Sequence, residues 1–248
     1  MSARLKEIFY PESKFGGFTD SDGTITFYNR VHALTQSTSV IVDFGCGRGL
    51  SSEDTVPYRS QIQSFKGKVR KVIGLDIDRA SSHNPKIDEF YLLTNDKWPL
   101  GDNSADLCVS DSVIEHLRNP ERFFSECRRV LKNDGYLCLK TSNVMSYVGL
   151  LSMIIPNKFH ASILKKVQEN RKSMDVFPTY YRCNTISRVK RMFEKYGFEH
   201  VVYGYEAEPT YLDFSRLAYW MGTLHQRLAP SFLRQVIFGF GKLHKQQS

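Results

Sequence analysis

Val40-Ile41-Val42-Asp43-Phe44-Gly45-Cys46-Gly47-Arg48-Gly49 is the stretch whose reading decides the fold. A β-branched run that ends in an acid and then in glycines at alternate positions reads as a buried strand entering a tight turn. Glycine tolerates positive φ and lets a ligand lie against the main chain, and the helix start that follows offers unpaired N–H groups. The spacing separates ligand classes. A dinucleotide turn reads G-x-G-x-x-G and holds pyrophosphate, whereas here the glycines fall as G-x-G-x-G behind Asp43. An acid at that mouth repels pyrophosphate and suits an ammonium or sulfonium. The plain alternative is a turn in which the glycines serve geometry alone.

Downstream, apolar runs alternate with helical patterns. Lys71 to Leu75 forms a second strand ending in Asp76-Ile77-Asp78, and Glu89 to Leu93 a third. Asp106 to Ser110 forms a fourth and Tyr136 to Lys140 a fifth. Between Gly49 and Asp76 the chain is long for such a unit; Leu50 to Phe65 holds Pro57 and reads as an irregular helix or two short pieces. Asn119 and Pro120 open a helix as cap and first turn, and Phe123, Phe124, Cys127, Val130 and Leu131 share one of its faces. This order argues for a parallel sheet covered on both faces. Ligands of such sheets bind beyond the carboxyl ends of the strands, where Asp43, Asp76, Asp96 and Ser110 converge on one crevice. Asp76 is placed to accept from ribose hydroxyls. In the loop Thr94 to Leu100, Asp96 is a candidate to accept from an adenine amino group and Trp98 to lie near the ring; ordinary loop chemistry is the alternative for both.

The 248 residues suffice for one large α/β domain, read as an N-terminal cover (1–38), a core (39–141), a cap insertion (142–184) and a C-terminal part (185–248). The formal charge of +8 suits an anionic partner (nucleic acid, a membrane surface or a phosphorylated substrate) or simply a basic surface. Five cysteines at 46, 108, 127, 138 and 183 form neither a disulfide framework nor a C-x-x-C metal site, so reduced thiols and a cytoplasmic location are expected. The start carries Arg4, Lys6 and Glu7, which argues against a signal peptide. No apolar run nears the roughly 18 residues that a membrane span needs. Near the N-terminus, Phe27-Tyr28-Asn29-Arg30-Val31 covers either the core or one end of the crevice.

Five motifs in order resemble the class I S-adenosylmethionine-dependent methyltransferases: Val42 to Gly49, Ile73 to Asp76, Trp98 to Asp106, Ile114-Glu115-His116-Leu117, and Arg129 to Gly135. They cover roughly residues 38 to 141. The resemblance implies a Rossmann-like, doubly wound, mostly parallel seven-stranded sheet with an antiparallel last strand and a helical cap insertion. It also implies S-adenosylmethionine as cofactor, with Asp43, Gly45 and Gly47 around its amino acid end, Asp76 on the ribose, Ile77 against the adenine and Asp96 on the adenine edge; Ser110 is carried as a further contact. The sequence departs from the pattern in the long segment after Gly49 and in Asn133-Asp134-Gly135, where the family often has Pro-Gly-Gly. Asp175 to Thr185 is similar to a bacterial subgroup of these enzymes, which names no substrate but implies a shaped cap.

Methyl transfer is an in-line displacement that needs alignment and exclusion of water, with neither metal nor covalent nucleophile. For a hydroxyl acceptor, His116 is the first candidate general base and Asp111 the second; the alternative for His116 is a packed or capping histidine. An Asn-Pro-Pro-Tyr-like motif is replaced by Ser110-Asp111-Ser112-Val113, and no Pro-Cys nucleophile is present, which disfavours base methylation in nucleic acid without excluding ribose. The expected reaction is O-methylation of a small-molecule, saccharide or lipid-linked acceptor. The alternatives are a non-catalytic S-adenosylmethionine-binding or regulatory protein on the same fold, and an RNA ribose methyltransferase. Tyr147, His160, Tyr180, Tyr181 and Arg182 are candidate acceptor residues, and Lys165, Lys166, Arg171 and Lys172 are available to an anionic substrate or to solvent. Thr185 opens a helix that Gly197 ends, and His200 to Tyr205 and Gln235 to Gly241 read as sixth and seventh strands. The insertion Tyr211 to Leu228 carries a stripe of Phe214, Leu217, Met221, Leu224 and Leu228, and from Phe214 onward there are five Lys or Arg and no acid. Peripheral membrane contact through 211–240 is one reading; packing on the cap or on a second subunit is another.

Overall fold

The computed structural model describes residues 2–49, 54, 56–154 and 177–245. The apolar runs form β1 (Val40–Phe44), β2 (Lys71–Asp76), β3 (Glu89–Leu92), β4 (Ala105–Asp111), β5 (Leu131–Ser142), β6 (Phe198–Tyr205) and β7 (Val236–Leu243). They make one sheet in the order β3-β2-β1-β4-β5-β7-β6. The first five strands run parallel, and β7 lies antiparallel between β5 and β6. The strand order therefore reverses between β1 and β4, where the carboxyl ends diverge into a crevice.

Strand side chains alternate between faces, so neighbouring residues enter different cores. Val42, Leu75, Cys108, Leu137 and Leu139 join one cluster with Phe123, Phe124 and Phe193. Ile41, Val72, Leu107, Val109 and Cys138 join the other with Phe27, Tyr28 and Val31. The covering helices are α1 (Ser2–Phe9), α2 (Gly23–Ala33), α3 (Pro57–Ile62), α4 (Pro120–Val130), α5 (Tyr147–Ile154), α6 (Ile186–Lys195) and α7 (Arg216–Leu228). Asp22 caps α2 through Ile25 N–H and also pairs with Arg59 of α3 at 2.8 Å, which ties the two helices together. Thr185 caps α6 through Arg188 N–H, and Gly197 follows with φ +77°. Asn119 occupies the cap position of α4, but its side chain makes no capping bond; the fixed φ of Pro120 supplies the helix start instead.

Of the cap segment 142–184, residues 142–154, which include α5, and 177–184 are described. His160, Lys165, Lys166, Arg171 and Lys172 lie outside the described residues.

Candidate functional site

The turn after β1 is built from three glycines at positive φ, +72° at Gly45, +56° at Gly47 and +70° at Gly49. Two of them are also sterically required. A Cβ on Gly45 would lie 2.3 Å from Val113 Cγ2, and one on Gly49 would lie 2.3 Å from Asn84 Oδ1. Gly47 differs, because a Cβ there would meet nothing within 4 Å: the backbone faces open cleft.

Two side chains hold this turn. Asp76, at the end of β2, accepts Gly47 N–H at 2.8 Å through one carboxylate oxygen and Asp78 N–H at 2.8 Å through the other. Asn84 donates to the carbonyls of Cys46 at 2.8 Å and Gly47 at 3.1 Å. Arg48 in turn pairs with Asp78 at 2.7 Å. The turn is thus fastened through both its N–H and C=O groups before any ligand arrives.

Asp43, Asp76 and Asp111, from the ends of β1, β2 and β4, line one cleft of about 490 Å³ together with Gly45, Gly47, Tyr28, Lys86, Ser112, Lys140 and Phe177. Burial, then the charges of Asp111 and Asp76, push the Asp43 carboxyl up from 3.8 to about 7, against a smaller opposing pull from Lys86. No hydrogen-bond donor among the described residues offsets that burial. The same environment raises the Tyr28 phenol, through burial and then Asp111, and burial lowers the Lys86 ammonium. Asp111 is neutralised on its other side by Lys140 at 2.8 Å, and it accepts the Ser112 hydroxyl at 2.9 Å. Ser112 itself has φ +59°, a strained value for serine. The arrangement suits a cation: more carboxylate than ammonium converges on it, and one acid is left without a hydrogen-bond partner.

The other expected contacts divide. Ile77 stands 65% exposed directly beyond Asp76, an apolar side chain open to contact but outside the cleft lining. Asp96 is not brought into the cleft. It sits on an exposed loop 3.8 Å from Arg122, because Trp98 two residues later is anchored in the core, stacked on Phe44 at 5.0 Å. Trp98 is therefore a core residue and not a neighbour of the cleft. Ser110 is fully buried within β4 with its hydroxyl unpartnered; its successors Asp111 and Ser112 reach the cleft instead.

His116 lies one layer behind the cleft wall, its ring meeting Phe177 edge-on at 6.2 Å. Its Nδ1 is 3.0 Å from the Pro178 carbonyl. A carbonyl only accepts, so Nδ1 carries the hydrogen, and the neutral ring keeps its lone pair on Nε2. The loop is held by Glu115, a buried carboxylate that accepts Thr141 Oγ1 at 2.7 Å and Ser142 Oγ at 3.2 Å. The Glu115 carbonyl also accepts Tyr180 N–H and Tyr181 N–H. Arg118 donates to the Tyr180 hydroxyl at 2.7 Å. Tyr147 packs against His225 and bonds Gln235, away from the cleft lining.

The sequence reading missed Asn84, Lys86, Glu115 and Lys140. Lys140 carried a usable signal, since it ends a recognised strand beside the one that delivers Asp111. Asn84 precedes Pro85 in a turn, which says nothing of a partner 38 residues away.

Residues 42–139 match a family described as a methyltransferase domain. The chain is 31% identical over 112 residues to a probable S-adenosylmethionine-dependent methyltransferase of Mycolicibacterium smegmatis, covering 43% of this chain and 39% of that protein. It is 26% identical over 184 residues to a biotin biosynthesis bifunctional protein of Teredinibacter turnerae, covering 69% of this chain and 28% of that protein. The matches thus span well under half the length of these relatives. A solved S-adenosylmethionine-dependent methyltransferase from Archaeoglobus fulgidus shares the fold, with TM-score 0.55 and 19% identity over 93% of this chain and 97% of that one.

Proposed function

From the match of residues 42–139 to the methyltransferase-domain family, we propose that the chain is a class I S-adenosylmethionine-dependent methyltransferase that methylates an oxygen of a small-molecule, saccharide or lipid-linked acceptor. The observation that carries the cofactor side is the cleft itself: an open glycine backbone at Gly47, gripped by Asp76, beside an Asp43 carboxyl with no hydrogen-bond donor among the described residues. These residues fit a ligand that carries both an ammonium and a sulfonium. Asp43, Gly45 and Gly47 would hold its amino acid end, Asp76 its ribose and Ile77 its adenine. The bound cofactor supplies an electrophilic methyl group.

The rest is done by the chain. Asp43 ionises against the incoming cation, Tyr28 and Phe177 line the cleft, and His116, behind Phe177, would offer Nε2 to the proton an alcohol loses as it is methylated if the acceptor enters past Phe177. Asp111 is the weaker base because Lys140 and Ser112 already occupy its oxygens. A base of this kind serves a hydroxyl acceptor, whose proton must leave as the oxygen is methylated.

The test is transfer of labelled methyl from S-adenosylmethionine to separated lipid, glycan, small-molecule and RNA fractions. Label in a hydroxyl of the first three supports the reading. Label confined to RNA, or cofactor binding with no transfer to any fraction, replaces it with ribose methylation or with a non-catalytic binding protein.

A further inference from the structure

Helix α7 is amphipathic in the unexpected sense that its outward face is the apolar one. At 100° per residue, Leu217, Trp220, Met221, Leu224 and Leu228 fall within an arc of about 100°. All five are exposed, Leu217 at 66%, Trp220 at 50% and Leu228 at 71%. Phe214 before the helix and Phe232 after it are exposed as well. The opposite face is fixed to the body of the protein. Tyr219 is 1% exposed and packs on Phe9 at 5.2 Å, and Tyr10 donates to Gln226 Oε1 at 2.5 Å. Gly222 lets the helix sit against Pro209, where a Cβ would approach to 2.5 Å. The apolar stripe is therefore held outward by its own buried side. Contiguous apolar surface of this kind marks an interaction site.

Charge selects the occupant. Arg216 and Arg227 are exposed and fall together along one flank of the stripe, and Phe214 to Ser248 contains no Asp or Glu. A second copy using the same patch across a two-fold axis would bring like charges together with no acid from this segment between them. A bilayer with anionic headgroups neutralises the arginines and accepts the leucines and tryptophan in one plane. We propose that α7, with Phe214 and Phe232, is a docking surface for an anionic lipid bilayer.

Its place in the fold gives the surface a use. The segment between β6 and β7 emerges at the carboxyl edge of β5, the edge that carries the cleft. Asn143, just past β5, donates to the Phe232 carbonyl at 2.9 Å. Docking would set the cleft's edge toward the headgroup layer, where a lipid-linked acceptor resides; this last step rests on the methyl-transfer reading, whereas docking does not.

Sedimentation of the full chain with vesicles tests the proposal, comparing phosphatidylcholine alone with phosphatidylcholine containing about one third phosphatidylglycerol, at which about tenfold stronger binding is expected. Trp98 is buried in the core, so a blue shift of tryptophan emission on adding anionic vesicles reports Trp220, and Trp220→Phe should abolish it. Leu217→Glu with Leu224→Glu, both at exposed positions, should lower vesicle binding at least about tenfold and leave calorimetric binding of S-adenosylmethionine unchanged. Failure to bind anionic vesicles, or binding undiminished by the double substitution, overturns the proposal. So does a vesicle-free dimer in sedimentation equilibrium that the double substitution dissociates. Cofactor titration on the same preparation keeps the two readings apart: its loss with vesicle binding intact refutes the enzyme, and the converse refutes the docking surface.

Discussion

Replacing Asp43 by asparagine keeps the shape of the cleft and removes one of its four carboxylates, and the structure sets opposite signs for the effects on stability and on binding. Burial and the neighbouring Asp111 and Asp76 raise the Asp43 carboxyl from 3.8 to about 7. The folded protein thus holds this proton more tightly than the unfolded chain does. That contribution to stability is fully present below pH 3.8, is lost as the pH rises through the folded value near 7, and amounts at most to about 4 kcal/mol. Because part of it is shared with Asp76 and Asp111, Asp43→Asn should stabilise the protein at pH 8 by about 1–3 kcal/mol and have little effect near pH 4. Binding runs the other way. A cation requires Asp43 ionised, so the wild-type affinity for S-adenosylmethionine should fall about tenfold between pH 8 and pH 6, as the free site takes up its proton. In Asp43→Asn this particular dependence should vanish and the affinity at pH 8 should drop by at least about tenfold. Urea unfolding at pH 4 and pH 8 and calorimetric titration at pH 6 and pH 8 measure both. An asparagine variant that binds as tightly as the parent at pH 8, or that is less stable than the parent there, refutes the assignment of Asp43 as the uncompensated acid of the cation site.

Asp76→Ala removes the acceptor of Gly47 N–H and should weaken cofactor binding by about 10²-fold in the same titration, through the loosened turn as well as the lost ribose partner. His116→Ala, assayed once an acceptor is in hand, should lower kcat by about 10²–10⁴-fold with cofactor affinity unchanged. Gly45→Ala combines a positive φ with a Cβ 2.3 Å from Val113 and should cost about 3 kcal/mol, seen as a melting temperature lower by roughly 6–12 °C.

The strands, the glycine turn and the cleft acids Asp43, Asp76 and Asp111 were legible in the sequence because each depends on local pattern. β-branched runs with a period of two specify strands, Gly45 and Gly47 announce positive φ, and an acid that ends a buried strand beside such a turn has few other places to be. The same rule overreached at Asp96 and Ser110. Whether a residue near a strand end faces the cleft depends on what its neighbours pack against: Trp98 goes to Phe44 in the core and leaves Asp96 outside, while β4 buries Ser110 and delivers Asp111. For α7 the apolar stripe was visible in the sequence, but periodicity does not say which face is covered. An apolar stripe normally turns inward, and here Tyr219 and Gly222 occupy the inner face instead.

The sequence by itself determined the sheet, the turn and the kind of charge at its mouth, since these follow from steric and hydrophobic rules acting over a few residues. The tertiary structure decided the Asn84 clamp across 38 residues, the pairing of Lys140 with Asp111, the burial that lifts Asp43 and the hydrogen bond between His116 Nδ1 and the Pro178 carbonyl. Each of these turns on distance and solvent exclusion, which exist only once distant parts of the chain have been packed together.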